Sequence, residues 1–455
     1  MKVQLPPGRS LRKNSMDESI TAQDLETALR VLRLAAGDIS RFDDHLEFKS
    51  LVAKINRQAR QRNGRETRQQ LQHEDQQTKA VALEHRGEPD LTSEMPPLTL
   101  HKSRRCYICK ASYHTLQRQY HLLCETCASF NAAKRVQRCD LHGRVALITG
   151  GRVKIGFQLA LKLLRDGARV IVTTRFPQDA SERFALQPDF ADWSHRLELH
   201  GLDLRHLAAV QTFITDFLHR EAHLDILINN AAQTISRPLE FHAHLLEREN
   251  SAGSSALVRS PMQLLSTPLE LPATAQYFPL DTFDGDGQAL DTRPANSWNQ
   301  KLHEVPTRDL LEVQVVNFIA PFMLCAGLKP ALERSPFARR FIVNVSAMEG
   351  QFSRASKGVH HPHTNAAKAA LNMLTRTSGT DYANSGIYMT AVDTGWITDE
   401  NPFPKAARMR DNGFAPPLDA VDGAARIYDP IVSGLNQPGT PFYGVFLKDY
   451  QPYPW

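Results

Sequence analysis

The sequence predicts an α/β protein built on a doubly wound parallel sheet, preceded by a small cysteine-rich module and a helical region. Three observations carry this expectation. From about His142 onward, apolar runs of strand length alternate with amphipathic helical segments, the rhythm of a parallel sheet covered on both faces. A glycine-rich turn joins the first of those strands to its helix. Four cysteines fall in two Cys-x-x-Cys pairs, Cys106/Cys109 and Cys124/Cys127.

The chain has 455 residues, more than one domain's worth. Its 42% hydrophobic content allows a real core, and its 23% charged content is ordinary. A net charge of +5 is mildly basic and selects no partner class by itself. No unbroken apolar run of roughly 18 residues occurs, so no membrane-spanning helix and no membrane partner are expected. The opening MKVQLPPGRS has no apolar stretch of the signal-peptide kind. A cytoplasmic address is the default expectation, with a nuclear one left open.

Residues 1–100 read as helices and a polar linker. Thr21 and Asp24 form a capping-box pattern, followed by Leu25, Leu29 and Leu32 at helical spacing. A second helix is expected over about 43–60, striped by Leu46, Leu51, Val52 and Ile55. The Arg- and Gln-rich stretch after it has little to bury and reads as solvated helix or disorder. The segment EMPPLTL reads as a linker.

Residues 101–139 form the cysteine module. Two Cys-x-x-Cys knuckles fourteen residues apart have the spacing of a closed four-cysteine zinc site of the structural kind. His114 and His121 lie between them as alternates. A redox dithiol is the competing reading. The module's basic flanks fit nucleic acid, but no base-reading helix is evident, and packing or docking of a protein partner fits better.

Residues 140–455 carry the alternation. The expected strands are RVALITG, ARVIVTTR, RLELHGLDL, LDILINNAA, RRFIVNVSA, IYMTAVDTG and YGVFLKDY. Long helices are expected over IGFQLALKLLRDG, LAAVQTFITDFLHR, the run from Thr307 to Ser335, and HTNAAKAALNMLTRTSGTDYANSG. Between about 234 and 304 the rhythm stops, which reads as a large insertion of the lid or linker kind.

Thr149-Gly150-Gly151-Arg152-Val153-Lys154-Ile155-Gly156 lies between the first strand and its helix. Glycines there admit a pyrophosphate to the backbone, and the helix N-terminus adds N–H donors, so a Rossmann-like dinucleotide site is expected. The turn resembles the Thr-Gly-x-x-x-Gly-x-Gly turn of short-chain dehydrogenases/reductases, with Lys154 at the middle glycine. Asn229-Asn230-Ala231-Ala232 resembles that family's Asn-Asn-Ala-Gly, and Asp203-Leu204 its pair beside the adenine. Asn317, Ser346 and Lys368 match its helix-four asparagine, active-site serine and ribose-binding lysine. Thr394-Gly395 stands where the family has Pro-Gly, and Thr398 is in reach of a carboxamide.

The resemblance implies Thr149, Gly150, Gly151, Arg152, Ile155, Gly156, Asp203, Leu204, Asn230, Ala231 and Lys368 as cofactor contacts. The second strand ends Thr173-Thr174-Arg175 without an acid. With Arg152, that favours the 2′-phosphate of NADP over NAD. The family's catalytic tyrosine, four residues before the lysine, is Thr364 here. A threonine hydroxyl neither titrates in the useful range nor reaches as far. His360, His361 and His363 are nearby substitutes.

Two functions follow. The first is an NADP-dependent oxidoreductase acting on a carbonyl or alcohol, with Ser346, Lys368, Asn317 and Thr364 in an atypical centre. The second is an inactive nucleotide-binding pseudo-dehydrogenase serving as sensor, scaffold or adaptor. The substrate is an unidentified small molecule, and self-association into a homo-oligomer is left open.

Overall fold

The computed structural model describes residues 20–84, 97–251, 253, 255–262, 275–279, 282–354, 356–397 and 400–455. The chain divides into two compact units, one up to Glu74 and one from Asp75 to Trp455.

In the first unit, Thr21 caps the helix Ala22–Gly37. Its backbone N–H donates to the Asp24 carboxylate at 3.0 Å, and its hydroxyl accepts from the Asp24 N–H at 3.2 Å. The leucine stripe is present but exposed at Leu25, Leu29 and Leu32. The second helix runs Leu46–Glu84, well beyond the expected end near Arg60, because the Arg/Gln stretch stays helical with its polar side chains in solvent.

The second unit starts within that helix. Asp75 is buried, and its carboxylate accepts from the N–H groups of His101 at 2.7 Å and Lys102 at 3.1 Å. These bonds anchor strand β1 (Leu98–Arg105), which pairs antiparallel with β2 (Ser112–Leu116). The described part of EMPPLTL is therefore not linker, since Leu98–Leu100 opens a strand. The hairpin and the helix Glu125–Val136 enclose Leu100, Tyr113, Leu116, Tyr120 and Leu123 together with Ala82.

The large sheet contains β3 (Val145–Thr149), β4 (Arg169–Thr174), β5 (Leu197–Gly201), β6 (Ile226–Asn229), β7 (Val258–Ser260), β8 (Arg340–Ser346), β9 (Ile387–Asp393), β10 (Val445–Lys448) and β11 (Gln451–Tyr453). Their spatial order is β11-β10-β9-β8-β6-β3-β4-β5-β7, parallel throughout except for β11. All five residues of β3 are buried, as a strand covered on both faces requires. One face packs on helices Lys154–Arg165 and Ala420–Asn436, and the other on Leu207–Arg220 and the run from Thr307 to Gly327. Among the described residues, Thr307–Gly327 is the one helix long and apolar enough to cross a membrane. It instead packs Val316, Ala320 and Leu324 into the core. The chain leaves β3 first toward β4 and β5, then returns to β6 on its other side. That reversal opens a crevice at the carboxyl ends of the strands.

Helices outside the expected set include Pro177–Ala185, Phe403–Asp411 and Ala420–Asn436. Within 234–304, Ala243–Ser251 is helical and β7 pairs with β5, so this segment extends the sheet as well as interrupting the rhythm. Residues 252, 254, 263–274 and 280–281 of it lie outside the described residues.

Candidate active site

The crevice holds a cavity of about 390 Å³ at the ends of β3, β4, β5 and β6. The glycine turn forms its floor. A side chain on Gly150, at φ +72, would sit 2.9 Å from the Ala231 Cα. One on Gly156 would sit 2.2 Å from the Gly150 carbonyl oxygen and 2.5 Å from the Asn230 amide. Both positions need glycine for space. Lys154 adopts the left-handed backbone, φ +55, that its glycine counterpart would supply without strain. Thr149 links the turn to β6, since its hydroxyl accepts from the N–H groups of Asn230 (3.1 Å) and Ala231 (3.0 Å). The Asn230 amide donates to the carbonyls of Thr149 and Gly150, both at 3.0 Å.

Gly150, Arg152, Ile155, Gly156, Arg175, Asp203, Leu204, Asn230 and Ala231 all line the cavity, whereas Gly151 packs on Val172. The two expected cations differ. Arg152 donates to Asp179 at 2.6 Å, and Asp179 also accepts from Arg183 and Arg248. Arg175 has no hydrogen-bonding or carboxylate partner among the described residues and only lies against the Phe176 ring at 5.6 Å. Burial, with Arg205 and Arg152 close by, lowers its guanidinium to a pKa of about 10. Asp203 is held by the Arg205 fork, with contacts of 2.6–3.1 Å.

The expected catalytic group is buried beside this cavity and does not line it. The Ser346 hydroxyl donates to Asn372 at 2.6 Å. Lys368 donates to the Val345 carbonyl at 2.8 Å, and burial lowers its ammonium pKa to about 8. Asn317 lies where the helix opens into a π turn, Val315–Ile319, and closes two bonds with the Gln233 backbone at 2.7 and 2.8 Å. The Thr364 hydroxyl is buried with no hydrogen-bond partner among the described residues. Ser346 thus spends its hydroxyl proton on Asn372, and Asn317 has both amide atoms engaged by backbone.

The histidines are placed elsewhere. His360 and His361 bond the carbonyls of Asn299 and Trp298, each at 2.9 Å, and His361 stacks on Trp298 at 4.0 Å. His363 is buried, and that burial lowers its pKa. The titratable group that the sequence did not reveal is Asp393. It ends β9 directly opposite Ser346 in the ladder. Burial raises its carboxyl to about 6, and it makes no hydrogen bond or ion pair among the described residues. Gly395 follows at φ +79, while Thr398 lies outside the described residues.

The four cysteine sulfurs lie within 4.8 Å of one another, with Cys109 and Cys124 3.6 Å apart. Four thiols at this separation suit a tetrahedral centre with sulfur about 2.3 Å from zinc. His114 bonds the Leu100 carbonyl at 3.1 Å and does not belong to the cluster. The module is bolted to the sheet domain. Tyr120 donates to Asp422 at 2.6 Å, Arg135 to Asp419 at 2.6 Å, and the Trp396 N–H to the Tyr107 hydroxyl oxygen at 3.1 Å.

The short chain dehydrogenase family model matches residues 144–249 and 292–404. Uncharacterized protein R665 of Acanthamoeba polyphaga mimivirus is 32% identical over 351 residues, spanning 72% of this chain and 71% of that protein. Human dehydrogenase/reductase SDR family member 13 is 31% identical over 193 residues, 42% of this chain and half of the human protein's length. Among solved structures, the NADPH-bound carbonyl reductase from chicken fatty liver aligns over 69% of this chain and all of its own, at 20% identity and a TM-score of 0.45. With its Rossmann-like sheet, glycine turn and matched segments on both sides of the insertion, the chain belongs to the short-chain dehydrogenase family.

Proposed function

We propose that the protein is an NADP-dependent oxidoreductase acting on a carbonyl or alcohol group through an atypical centre. One observation carries the cofactor choice: Arg175, at the end of β4, is a half-buried guanidinium that no carboxylate bonds among the described residues. The adenosine ribose of a bound dinucleotide lies at that strand end, so a 2′-phosphate there would pair with it. The turn from Gly150 to Gly156 offers the pyrophosphate close backbone approach and the N-terminus of Lys154–Arg165. Lys368 is the residue to hold the nicotinamide ribose. When bound, the cofactor supplies or accepts the hydride.

The chain must then move the proton. Thr364 cannot, and we assign that role to Asp393, whose carboxyl holds a proton near pH 6. The Cys106, Cys109, Cys124 and Cys127 set is assigned a structural zinc ion, with no open position for catalysis. The experiment is binding of NADPH and NADH followed by turnover across a broad panel of carbonyls. Tight NADPH binding with turnover supports the reading. Binding without turnover on any carbonyl establishes the pseudo-dehydrogenase instead, a reading favoured by Thr364, whose hydroxyl stands in the tyrosine's place with no hydrogen-bond partner among the described residues.

A further inference from the structure

His242 lies in the segment after β6 that the alternation does not explain. It is 4% exposed, lines the cavity, and neither ring nitrogen has a hydrogen-bond partner among the described residues. Its ring packs against Phe176 at 5.2 Å and Phe241 at 5.0 Å. Four arginines line the same cavity and act on it electrostatically, from four places in the chain: Arg152 of the glycine turn, Arg175 after β4, Arg205 after β5, and Arg237 at the start of the insertion. Three of them are already neutralised. Arg152 pairs with Asp179 at 2.6 Å, Arg205 with Asp203 at 2.6 Å and Glu312 at 3.5 Å, and Arg237 with Asp291. Arg175 is the one of the four with no hydrogen bond or ion pair to a carboxylate among the described residues; Asp203 and Glu312 act on it only at longer range.

A buried imidazole with idle nitrogens, beside an idle guanidinium and facing a cavity, is half of a recognition site. Both groups offer N–H donors, so the complement is an acceptor-rich anion. The pyrophosphate belongs at the glycine turn, which leaves the ribose end for Arg175 and His242.

We propose that His242 is a specificity-determining residue for a dinucleotide carrying a 2′-phosphate, donating a ring N–H to that phosphomonoester beside Arg175. This rests on the NADP reading and adds to it a residue outside the glycine turn and the β4 end. In the free protein, burial and the four guanidiniums hold the imidazole well below its ordinary pKa, so it is neutral. A phosphate dianion at hydrogen-bond distance reverses that balance. Binding of the phosphorylated cofactor therefore takes up a proton, and binding of NADH does not.

The test is calorimetric titration of the full chain with NADPH and with NADH at neutral pH, in two buffers of different ionisation enthalpy. The expected result is proton uptake with NADPH alone. His242→Gln removes that uptake and weakens NADPH about tenfold, as loss of one charge-assisted hydrogen bond does. NADH affinity is unchanged in the variant, which also shows that it is folded. His242→Asn, smaller still, behaves the same way. His242→Gln with wild-type NADPH affinity and wild-type proton uptake would overturn the assignment while leaving the cofactor reading intact. A wild-type protein without preference for NADPH overturns the cofactor reading itself, and the assignment falls with it.

Discussion

Arg152 donates to Asp179 at 2.6 Å, and that carboxylate is fully buried. Burial works to raise the Asp179 carboxyl, yet Arg183 and Arg152 together hold it below the usual carboxylate value. An arginine in the glycine turn thus serves the fold before it serves any phosphate. Asp179→Asn is expected to destabilise the protein by about 3 kcal/mol, because it leaves buried guanidinium uncompensated. The loss, read by chemical denaturation, is full above the unfolded carboxyl pKa and fades as pH falls through the depressed folded value. NADPH affinity is not expected to fall, since Arg152 is then released toward the cavity.

Lys154 sits at φ +55, in the left-handed region that glycine enters freely. The left-handed backbone costs a side chain-bearing residue about 1 kcal/mol, against roughly 0.5 kcal/mol for the extra freedom of an unfolded glycine. Lys154→Gly is therefore expected to be neutral or slightly stabilising. Lys154→Val, branched at Cβ, is expected to destabilise by more than about 1 kcal/mol. Melting curves of the two variants that coincide would refute the argument.

Lys368 is a cation held where water does not reach. Its pKa of about 8 against 10.5 corresponds, at roughly 1.4 kcal/mol per unit, to about 3 kcal/mol of destabilisation at neutral pH. A base with a depressed folded pKa exerts that penalty fully below pH 8 and loses it above the unfolded value. Lys368→Met should raise stability at neutral pH, with the gain gone in strong alkali, while weakening NADPH binding. A variant that loses both stability and binding would assign the lysine a packing role.

Asp393 makes a kinetic prediction. Carbonyl reduction needs its protonated form, so turnover should decline as pH rises through about 6. Asp393→Asn should remove that limb and lower kcat about 100-fold or more, the usual contribution of a positioned acid. A limb that persists in the variant belongs to another group.

The cysteine cluster makes an analytical one. Purified protein should carry one zinc ion per chain, lost in Cys109→Ser, with a lower melting temperature. Protein free of metal yet equally stable would leave the four thiols as a reduced cluster.

Much of the sheet was legible because parallel strands buried on both faces write continuous apolar runs such as VALIT. The helix Ala420–Asn436 was not. Its Gly423, Pro430 and Gly434 read locally as turn residues, and the packing against Lys154–Arg165 and Glu125–Val136 that favours the helix is not written in its own sequence. In the site, the glycine turn and Arg175 could be read from position alone. Arg205 could have been noticed two residues after Asp203. His242 and Asp393 could not, because an isolated histidine or a strand-end aspartate acquires meaning only from what surrounds it in space. The partners of Ser346, His360 and His361, namely Asn372, Asn299 and Trp298, were equally illegible, since spacing near Lys368 says nothing of what each side chain bonds.

The Tyr107–Trp396 bond joins a residue between two cysteines to the chain just past β9. Ile397 and Leu418, from that same stretch, pack into the apolar cluster of the cysteine module. A fragment trimmed to begin at the first sheet strand would bare those side chains and strip the partners of Asp422. What reads along the chain as a detachable bead is a wall of the same building, and shortening the protein to its recognisable family segment would remove a support of the segment that was meant to be kept.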